Sequence, residues 1–153
     1  MKKIGDYTAR GIVSEEETEA GIPQKIPLFD GRFDTGYRVT KFVVWSTSYN
    51  TSSNADVIGK LSKNEFGVTS AANFMRADDD NQIGWSGMAG SADSINANVF
   101  SLIDKDNLIV EDLYVYARTS GSGIAINYLV EMEKFEITEW RGALAMARDK
   151  AQE

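Results

Sequence analysis

The sequence lacks two residue types that carry much of enzyme chemistry, since its 153 residues include no histidine and no cysteine. Without histidine there is no imidazole general base, no Ser-His-Asp or Cys-His pair and no imidazole metal ligand. Without cysteine there are no disulfides, thiolate nucleophiles or zinc-thiolate sites. Catalysis would be left to carboxylates, lysine, tyrosine or a borrowed cofactor. The composition therefore removes most catalytic options, and we expect a protein that is not an enzyme and uses no cofactor.

Positive charge and long apolar runs are also scarce. Lysine and arginine number 16 against 23 aspartates and glutamates, which gives a formal net charge of −7. A phosphate backbone is bound by a clustered basic face, so we expect no direct contact with nucleic acid. No apolar run approaches the roughly 18 residues of a membrane-spanning helix, and the polar start Met1-Lys2-Lys3 does not resemble a signal peptide. We expect one soluble domain with no membrane partner.

Strand-like segments separated by polar turns are abundant. Four segments are rich in β-branched and aromatic residues, which is typical of strands. They are 37–48 (YRVTKFVVWSTS), 56–62 (DVIGKLS), 82–88 (QIGWSGM) and 95–104 (INANVFSLID). Clusters of Asp and Asn at 77–81 and 104–107 predict turns.

Residues 108–137 predict two further strands joined by the loop TSGSG (119–123). Apolar residues alternate along the second strand at Ile124, Ile126, Tyr128, Val130 and Met132. This alternation places one face of the strand on a core and the other in water. The loop glycines can adopt positive φ at no steric cost, so we expect a β-hairpin.

The first part of the chain, residues 1–31, lacks strong periodicity and holds both prolines. It predicts an irregular N-terminal arm or lead-in. Its acidic stretch SEEETEA (Ser14–Ala20) is interpreted as a solvated tail, because few apolar residues follow the capping-box spacing of Ser14 and Glu17.

The rest of the chain forms the body and its end. Residues 32–137 predict an all-β domain, a single β-sandwich of jelly-roll type, with a partly open barrel as the structural alternative. Residues 138–153 begin with Thr138, a suitable N-cap, and continue with good helix formers. They predict a short C-terminal helix or tail that docks through Trp140.

The triplet Asp34-Thr35-Gly36 matches the segment that supplies the catalytic carboxylate of aspartic proteases, in which two copies share a proton. That loop is buried at a dimer seam, whereas here Arg32-Phe33 precede the triplet and Tyr37-Arg38 follow it. We interpret the segment as turns before a long strand. A dimeric aspartic protease using Asp34 remains the least favoured alternative.

Two other motifs have a stronger structural interpretation than a chemical one. The stretch GWSG (84–87) lacks G-x-S-x-G spacing and has no histidine to activate Ser86, so its glycines predict close approach of another segment to a strand. The acidic run Asp78–Asp80 offers oxygen ligands without EF-hand spacing. It predicts a solvated turn and no metal site, with weak cation binding left open.

Aromatic residues are the candidate contact residues. Aromatic faces can stack on sugars, which leaves a carbohydrate-binding β-sandwich, such as a receptor-attachment module, as the alternative function. Within alternating strands they more often pack in a core or between subunits. We therefore predict core or subunit-contact anchors at Trp45, Trp85, Tyr116 and Trp140.

The segments GYRVTKFVVW, DVIGKLS, NQIGWSG, DKDNLIVEDLYVYA and INYLVEMEKFEITEWRGALAMARDKAQ carry a family resemblance. Over roughly Arg32–Gln152 the chain resembles small virion-associated proteins of marine and environmental bacteriophages, whose strand-rich body ends in a NYLxxLE-like strand and a polar tail. The resemblance implies a capsid or capsid-decorating protein with a jelly-roll-like fold. It implies a location in the virion and, as partners, copies of the same chain and other virion proteins. No catalytic residues carry over.

Overall fold

The computed structural model describes residues 2–31, 34–47, 56–67, 69–70, 72–88, 99–120, 124–137 and Leu144. The elements are β1 (Lys2–Val13), α1 (Glu15–Ala20), β2 (Gln24–Ile26), β3 (Thr35–Ser46), β4 (Val57–Ser62), β5 (Gln82–Met88), β6 (Val99–Ile103), β7 (Leu113–Thr119) and β8 (Ile126–Glu136). Among these described residues no helix has the length and apolar character needed to cross a membrane.

The strands form two antiparallel sheets that pack face to face. Sheet A has three strands in the order β1-β8-β3, and sheet B has five in the order β2-β7-β4-β5-β6. The prediction of an all-β sandwich is confirmed. The predicted strands beginning at 37, 56, 82 and 95 correspond to β3, β4, β5 and β6.

The core lies between the two sheets and is built from the alternating faces of their strands. Phe42 on β3, Leu61 on β4 and Val115 on β7 are fully buried and belong to one cluster. Burying a side chain of this size stabilises the fold by about 1.5–3 kcal/mol before the loss of chain entropy is counted. Alternation therefore fixes which face of each strand turns inward.

The predicted hairpin of residues 108–137 is wrong in its pairing. Both strands form, and the predicted apolar face of β8 is buried, but β7 lies in sheet B and β8 in sheet A. The connection between them therefore passes from one sheet to the other. Alternation identifies the buried face of a strand, but two strands that face each other across a sandwich show the same pattern as two neighbours in one sheet.

The expectation of an irregular segment at 1–31 is also wrong in part, because β1 runs for 12 residues along β8. Few of its side chains are buried, and Ala9 and Val13 supply the core contacts. Close packing explains the presence of Gly11 in β1, because a Cβ there would lie 2.7 Å from the Tyr128 hydroxyl oxygen. Pairing with β8 fixes this strand, and that partner is not visible in the composition of the strand itself.

The stretch interpreted as a solvated acidic tail contains α1. The Ser14 hydroxyl accepts the Glu17 amide, and the Glu17 carboxylate accepts the Ser14 amide, both at 3.2 Å. Gly21 ends the helix with a φ of 71°. The capping box and the terminal glycine therefore mark a helix of six residues, and the interpretation of this stretch as a solvated tail is wrong. The helix has little apolar surface of its own, so its sequence shows no periodicity.

Two serine side chains link sheet B to sheet A by hydrogen bonds where β3 approaches β6. Ser86 on β5 accepts the Val44 amide at 3.1 Å and donates to the Phe100 carbonyl at 2.9 Å. Ser101 on β6 donates to the Phe42 carbonyl. These hydroxyls satisfy backbone groups at the edge of β3 and hold β6 against it.

Some predictions fall on residues that the structure does not describe. These are the loop at 121–123, the first part of the strand predicted at 95–104, and the C-terminal helix or tail apart from Leu144. The turns predicted at 77–81 and 104–107 are present.

Candidate functional site

The outer face of sheet B, which points away from the core, has a continuous row of four side chains in register. Lys60 on β4 pairs with Tyr116 on β7 and with Trp85 on β5, and Trp85 pairs with Leu102 on β6. The connection between β4 and β5 crosses the first part of this row. The face is thereby divided into a covered half at Tyr116 and Lys60 and an open half at Trp85 and Leu102.

Tyr116 fastens the connection to the covered half. Its side chain is 2% exposed. Its hydroxyl accepts the Gly67 amide at 2.8 Å and is directed at the carbonyl oxygens of Asn64 and Glu65. Burial raises the pKa of the phenol. Tyr116 therefore lies within the fold, as an internal anchor for the connection.

Lys60 is buried beside Tyr116 with only 1% of its surface exposed. Its ammonium donates to the Phe74 carbonyl at 2.9 Å and lies 4.4 Å from the centre of the Phe74 ring and 5.0 Å from that of Tyr116. Desolvation lowers the pKa of Lys60 to about 8, and the charge of Asp79 opposes this shift. Two aromatic faces and a carbonyl thus hold a cation that water barely reaches.

Sequence reasoning missed Lys60. Alternation places it on the outer face of a short strand, where a lysine is expected to be solvated. The polar connection that covers it has no hydrophobic pattern to predict where it lies. No local signal in the sequence distinguishes this lysine from an exposed one.

The open half of the face has an apolar hollow that we name the shelf. The shelf is a hollow of about 300 Å³ lined by Met75, Ala77, Trp85, Leu102, Ile103 and Asp104. Leu102 is 59% exposed, and Phe100, two residues earlier on β6, is 43% exposed. Gly87 on β5 lies opposite Phe100. The Phe100 ring packs so closely on it that a Cβ at this position would lie 2.6 Å from the ring.

An acidic cleft adjoins the shelf and shares part of its lining. This cleft, of about 260 Å³, is lined by Lys63, Ala77, Asp79, Asp80, Gln82, Trp85, Asp104, Asp106 and Asn107. The two acidic turns that the sequence predicts separately therefore come together at one end of β5 and β6. Trp85 stands between the apolar shelf and the acidic cleft, with its indole N–H donated to Gln82 at 2.8 Å.

Two carboxylates of the acidic run Asp78–Asp80 form hydrogen bonds that stabilise the turn. Asp78 pairs with the Arg76 guanidinium at 2.8 Å, and this hydrogen bond lowers the pKa of Asp78. Asp79 accepts the Asn81 amide at 3.0 Å and the Gln82 side-chain amide at 3.2 Å. In the part of the chain that is described, no group of three or more acidic side chains is arranged to hold a metal ion.

The three predicted anchors that the structure describes lie in different environments. Trp45 is 39% exposed on the outer face of sheet A, opposite Asn127. Trp85 is half-buried at the shelf, and Tyr116 is buried beneath the connection. These three anchors therefore do not form one common surface. Trp140 lies outside the described residues.

The triplet at Asp34 leads directly into a strand. Thr35 and Gly36 are the first residues of β3 and pair with Glu136 and Phe135 of β8, so they are not turn residues as predicted. Gly36 allows close packing, because a Cβ there would lie 2.7 Å from the nearest side-chain atom of Leu108.

Among the described strands β6 is the last of sheet B, so the outer face of this sheet offers an apolar shelf at a sheet edge, with carboxylates beside it. Such an arrangement can bury apolar surface against another molecule or stack an aromatic ring on it. Comparison with protein-family models, with curated proteins and with solved structures gave no match for this chain.

Proposed function

We propose that this chain is a structural protein of a virion, a capsid component or a capsid decoration protein, which works by symmetric self-assembly and not by catalysis. The observation that carries the proposal is the shelf, where Leu102 of the edge strand β6 is exposed beside Trp85 of β5, with Phe100 exposed next to it on β6. Exposed apolar side chains on a sheet edge favour association with another chain. In the assembled particle we expect the shelf to be buried against a neighbouring copy.

The strand pairing supports the finer prediction of a jelly roll. A jelly roll of eight strands is an antiparallel hairpin rolled around a core, so strand 1 lies beside 8, 2 beside 7, 3 beside 6 and 4 beside 5. Here β1 pairs with β8, β2 with β7 and β4 with β5. The fourth pairing differs, because β6 is hydrogen-bonded to β5 in sheet B and is linked to β3 through the Ser101 hydroxyl. Capsid proteins and lectins both have jelly-roll domains, so the fold does not distinguish self-assembly from sugar binding, whereas the shelf favours self-assembly.

The charge of the chain supports a particular position in the particle. The formal net charge of −7 opposes contact with a phosphate backbone. We therefore place the chain within the shell or on its outside, in contact with protein neighbours and away from the genome.

The test is the mass and symmetry of the purified full chain over a wide range of concentration, by sedimentation velocity and electron microscopy. We expect closed oligomers or shells whose fraction rises with concentration. Replacing Leu102 with Lys should prevent this assembly, because a charge would have to be buried in the contact. The matched control is Ile22→Lys, since Ile22 is 53% exposed but follows α1, away from the shelf.

Two outcomes would count against the proposal. A wild-type chain that stays monomeric at every concentration would remove self-assembly. Assembly of the Leu102→Lys variant at the level of the Ile22→Lys control would show that the shelf is not the contact.

A carbohydrate-binding module is the second candidate, and the acidic cleft favours it. Sugar sites combine an aromatic face with side chains that hydrogen-bond to hydroxyls, and here Trp85 stands beside Asp80 and Asn107. Calorimetric titration with a panel of glycans tests it, with Trp85→Ala as the variant that should lose binding. Absence of heat for every glycan would remove this candidate. Among the described residues, Thr35 and Gly36 next to Asp34 are paired in β3 with β8, which does not favour the protease alternative.

A further inference from the structure

The outer edge of β1 is a second surface suited to association. β1 is the last strand of sheet A, and among the described strands β8 is the one to which it is hydrogen-bonded. Its length of 12 residues makes this an extended edge, and an edge strand presents a row of backbone donors and acceptors to any strand that adds to it.

Side chains alternate along β1 in a way that fixes its two faces. Ala9 and Val13 are buried against the core. The alternate side chains point to the outer face of sheet A; they belong to Thr8, Arg10 and Ile12. Ile12 is 52% exposed on this face. The Asp6 side chain, 76% exposed, lies on the same face, where Lys3 bridges it to Glu133 of β8.

The outer-face residues of β1 form a self-complementary pattern when the β1 strands of two copies are placed side by side and antiparallel. With Thr8 opposite Thr8 of the partner copy, Asp6 stands opposite Arg10 and Arg10 opposite Asp6. Ile4 lies in the β-bulge that precedes the regular stretch, so it is left out of this pairing. The unlike-charge pair occurs twice by symmetry, and cross-strand pairs of this kind stabilise a sheet.

Other registers lose this match. A slip of one residue sets the outer face of one copy against the core face of the other. A shift to the register centred on Tyr7 or on Ala9 leaves the charges of Asp6 and Arg10 without a partner across the seam. Centring the pair on Asp6 or on Arg10 sets like charges opposite each other, which is destabilising.

Local geometry is compatible with an added strand. A β-bulge between Lys3 and Gly5 leaves a regular stretch from Gly5 to Val13, with Thr8 in its central part. Beside this stretch, a groove of about 250 Å³ separates β1 from Lys25–Pro27. Thr8 and Arg10 in the middle of β1 are exposed, so their side chains are accessible to a second copy.

We propose that β1 pairs antiparallel with β1 of a second copy, with the two-fold axis at Thr8, so that two copies share one six-stranded sheet. This proposal rests on the self-assembly proposed above and names one of its contacts. It concerns the edge of sheet A and is separate from the shelf on sheet B.

The absence of native cysteine allows a direct test of the register. Thr8→Cys introduces the only thiol, and thiols from two copies meet at the axis, since residues opposite each other in an antiparallel pair have Cα atoms about 4.5–5.5 Å apart, within disulfide range. Ile12→Cys is the matched control, because its two copies would lie roughly 26 Å apart at 3.3 Å per residue. We expect covalent dimers of Thr8→Cys on mild oxidation and none of Ile12→Cys, measured by mass spectrometry.

Charge reversal tests the same pairing without covalent chemistry. Arg10→Asp and Asp6→Arg should each weaken the dimer by about tenfold, because like charges then face each other twice. The double variant Asp6→Arg/Arg10→Asp should restore it. A mixture of the two single variants should form heterodimers, because one strand then carries two aspartates and the other two arginines.

The outcomes separate this proposal from the one on which it rests. Equal cross-linking of the two cysteine variants, or equal dimerisation of all charge variants, would overturn the β1 pairing. Shells that form while Thr8→Cys fails to cross-link would overturn the pairing and leave virion assembly standing. Dimers that cross-link at Thr8 and never grow further would uphold the pairing and count against the virion function.

Discussion

The covered and open halves of the outer face of sheet B belong to one row of side chains in register, yet the two halves differ in how much of each side chain is exposed to water. In the covered half, Tyr116 and Lys60 are 2% and 1% exposed beneath the chain's own connection. In the open half, Phe100 and Leu102 keep about half their surface in water. The polar groups are satisfied within the chain, whereas the apolar groups lie uncovered. Substitutions should therefore change stability in the covered half and association in the open half.

The largest expected effect is that of Tyr116→Ala in the covered half. Loss of the buried ring and of its hydrogen bonds should lower the free energy of unfolding by about 3–5 kcal/mol. Chemical denaturation measures this. A loss below about 1 kcal/mol would show that the connection is not fastened by Tyr116.

The next effect is a pH dependence that originates at Lys60. Its pKa is about 8 in the folded chain and 10.5 in the reference state, so the unfolded chain binds more protons between these values. The free energy of unfolding should therefore rise as the pH goes from 8 to 10.5, by up to about 3 kcal/mol, and the contribution of Lys60 should be constant below about 8 and above about 10.5. The difference between wild type and Lys60→Met isolates this contribution from other titrating groups. A constant difference over this range would contradict the assignment.

A smaller effect is expected at Ser86, beneath the open half. Ser86→Ala removes the acceptor of the Val44 amide and the donor to the Phe100 carbonyl. Leaving buried backbone groups without partners should cost about 1–3 kcal/mol. Thermal and chemical denaturation give the value, and hydrogen exchange should show faster opening of β6. Unchanged exchange in β6 would mean that Ser86 does not hold this strand.

The smallest stability effect is predicted for Leu102→Lys in the open half. Because Leu102 is 59% exposed, the free energy of unfolding of the monomer should change by no more than about 0.5 kcal/mol. Its effect on assembly should be large, as proposed above. A variant that loses several kcal/mol of stability would show that Leu102 belongs to the fold of the single chain.

Much of the fold follows from local patterns in the sequence. The apolar alternation of Ile126, Tyr128 and Val130 predicts the buried face of β8, and the residue content of 82–88 predicts β5 with its observed bounds. These features depend on residues close together in the chain, so they can be predicted from it.

The remaining features depend on contacts between distant residues. β1 carries few core residues and is fixed by β8, more than a hundred positions away. The pairing of β7 with β4, and not with β8, depends on how strands are shared between two sheets. Lys60 is buried by a connection that has no pattern of its own. The acidic cleft unites two turns whose proximity follows from the pairing of β5 with β6.

Association through the shelf should cover the open half of sheet B between copies and leave the covered half unchanged. Hydrogen–deuterium exchange of the full chain at low and at high protein concentration measures this difference. We expect the amides of β6 (Val99–Ile103) to gain protection as concentration rises, whereas those of β7 (Leu113–Thr119) should not change. Protection of β6 that is independent of concentration, in a chain that does assemble, would show that the shelf is not the contact between copies.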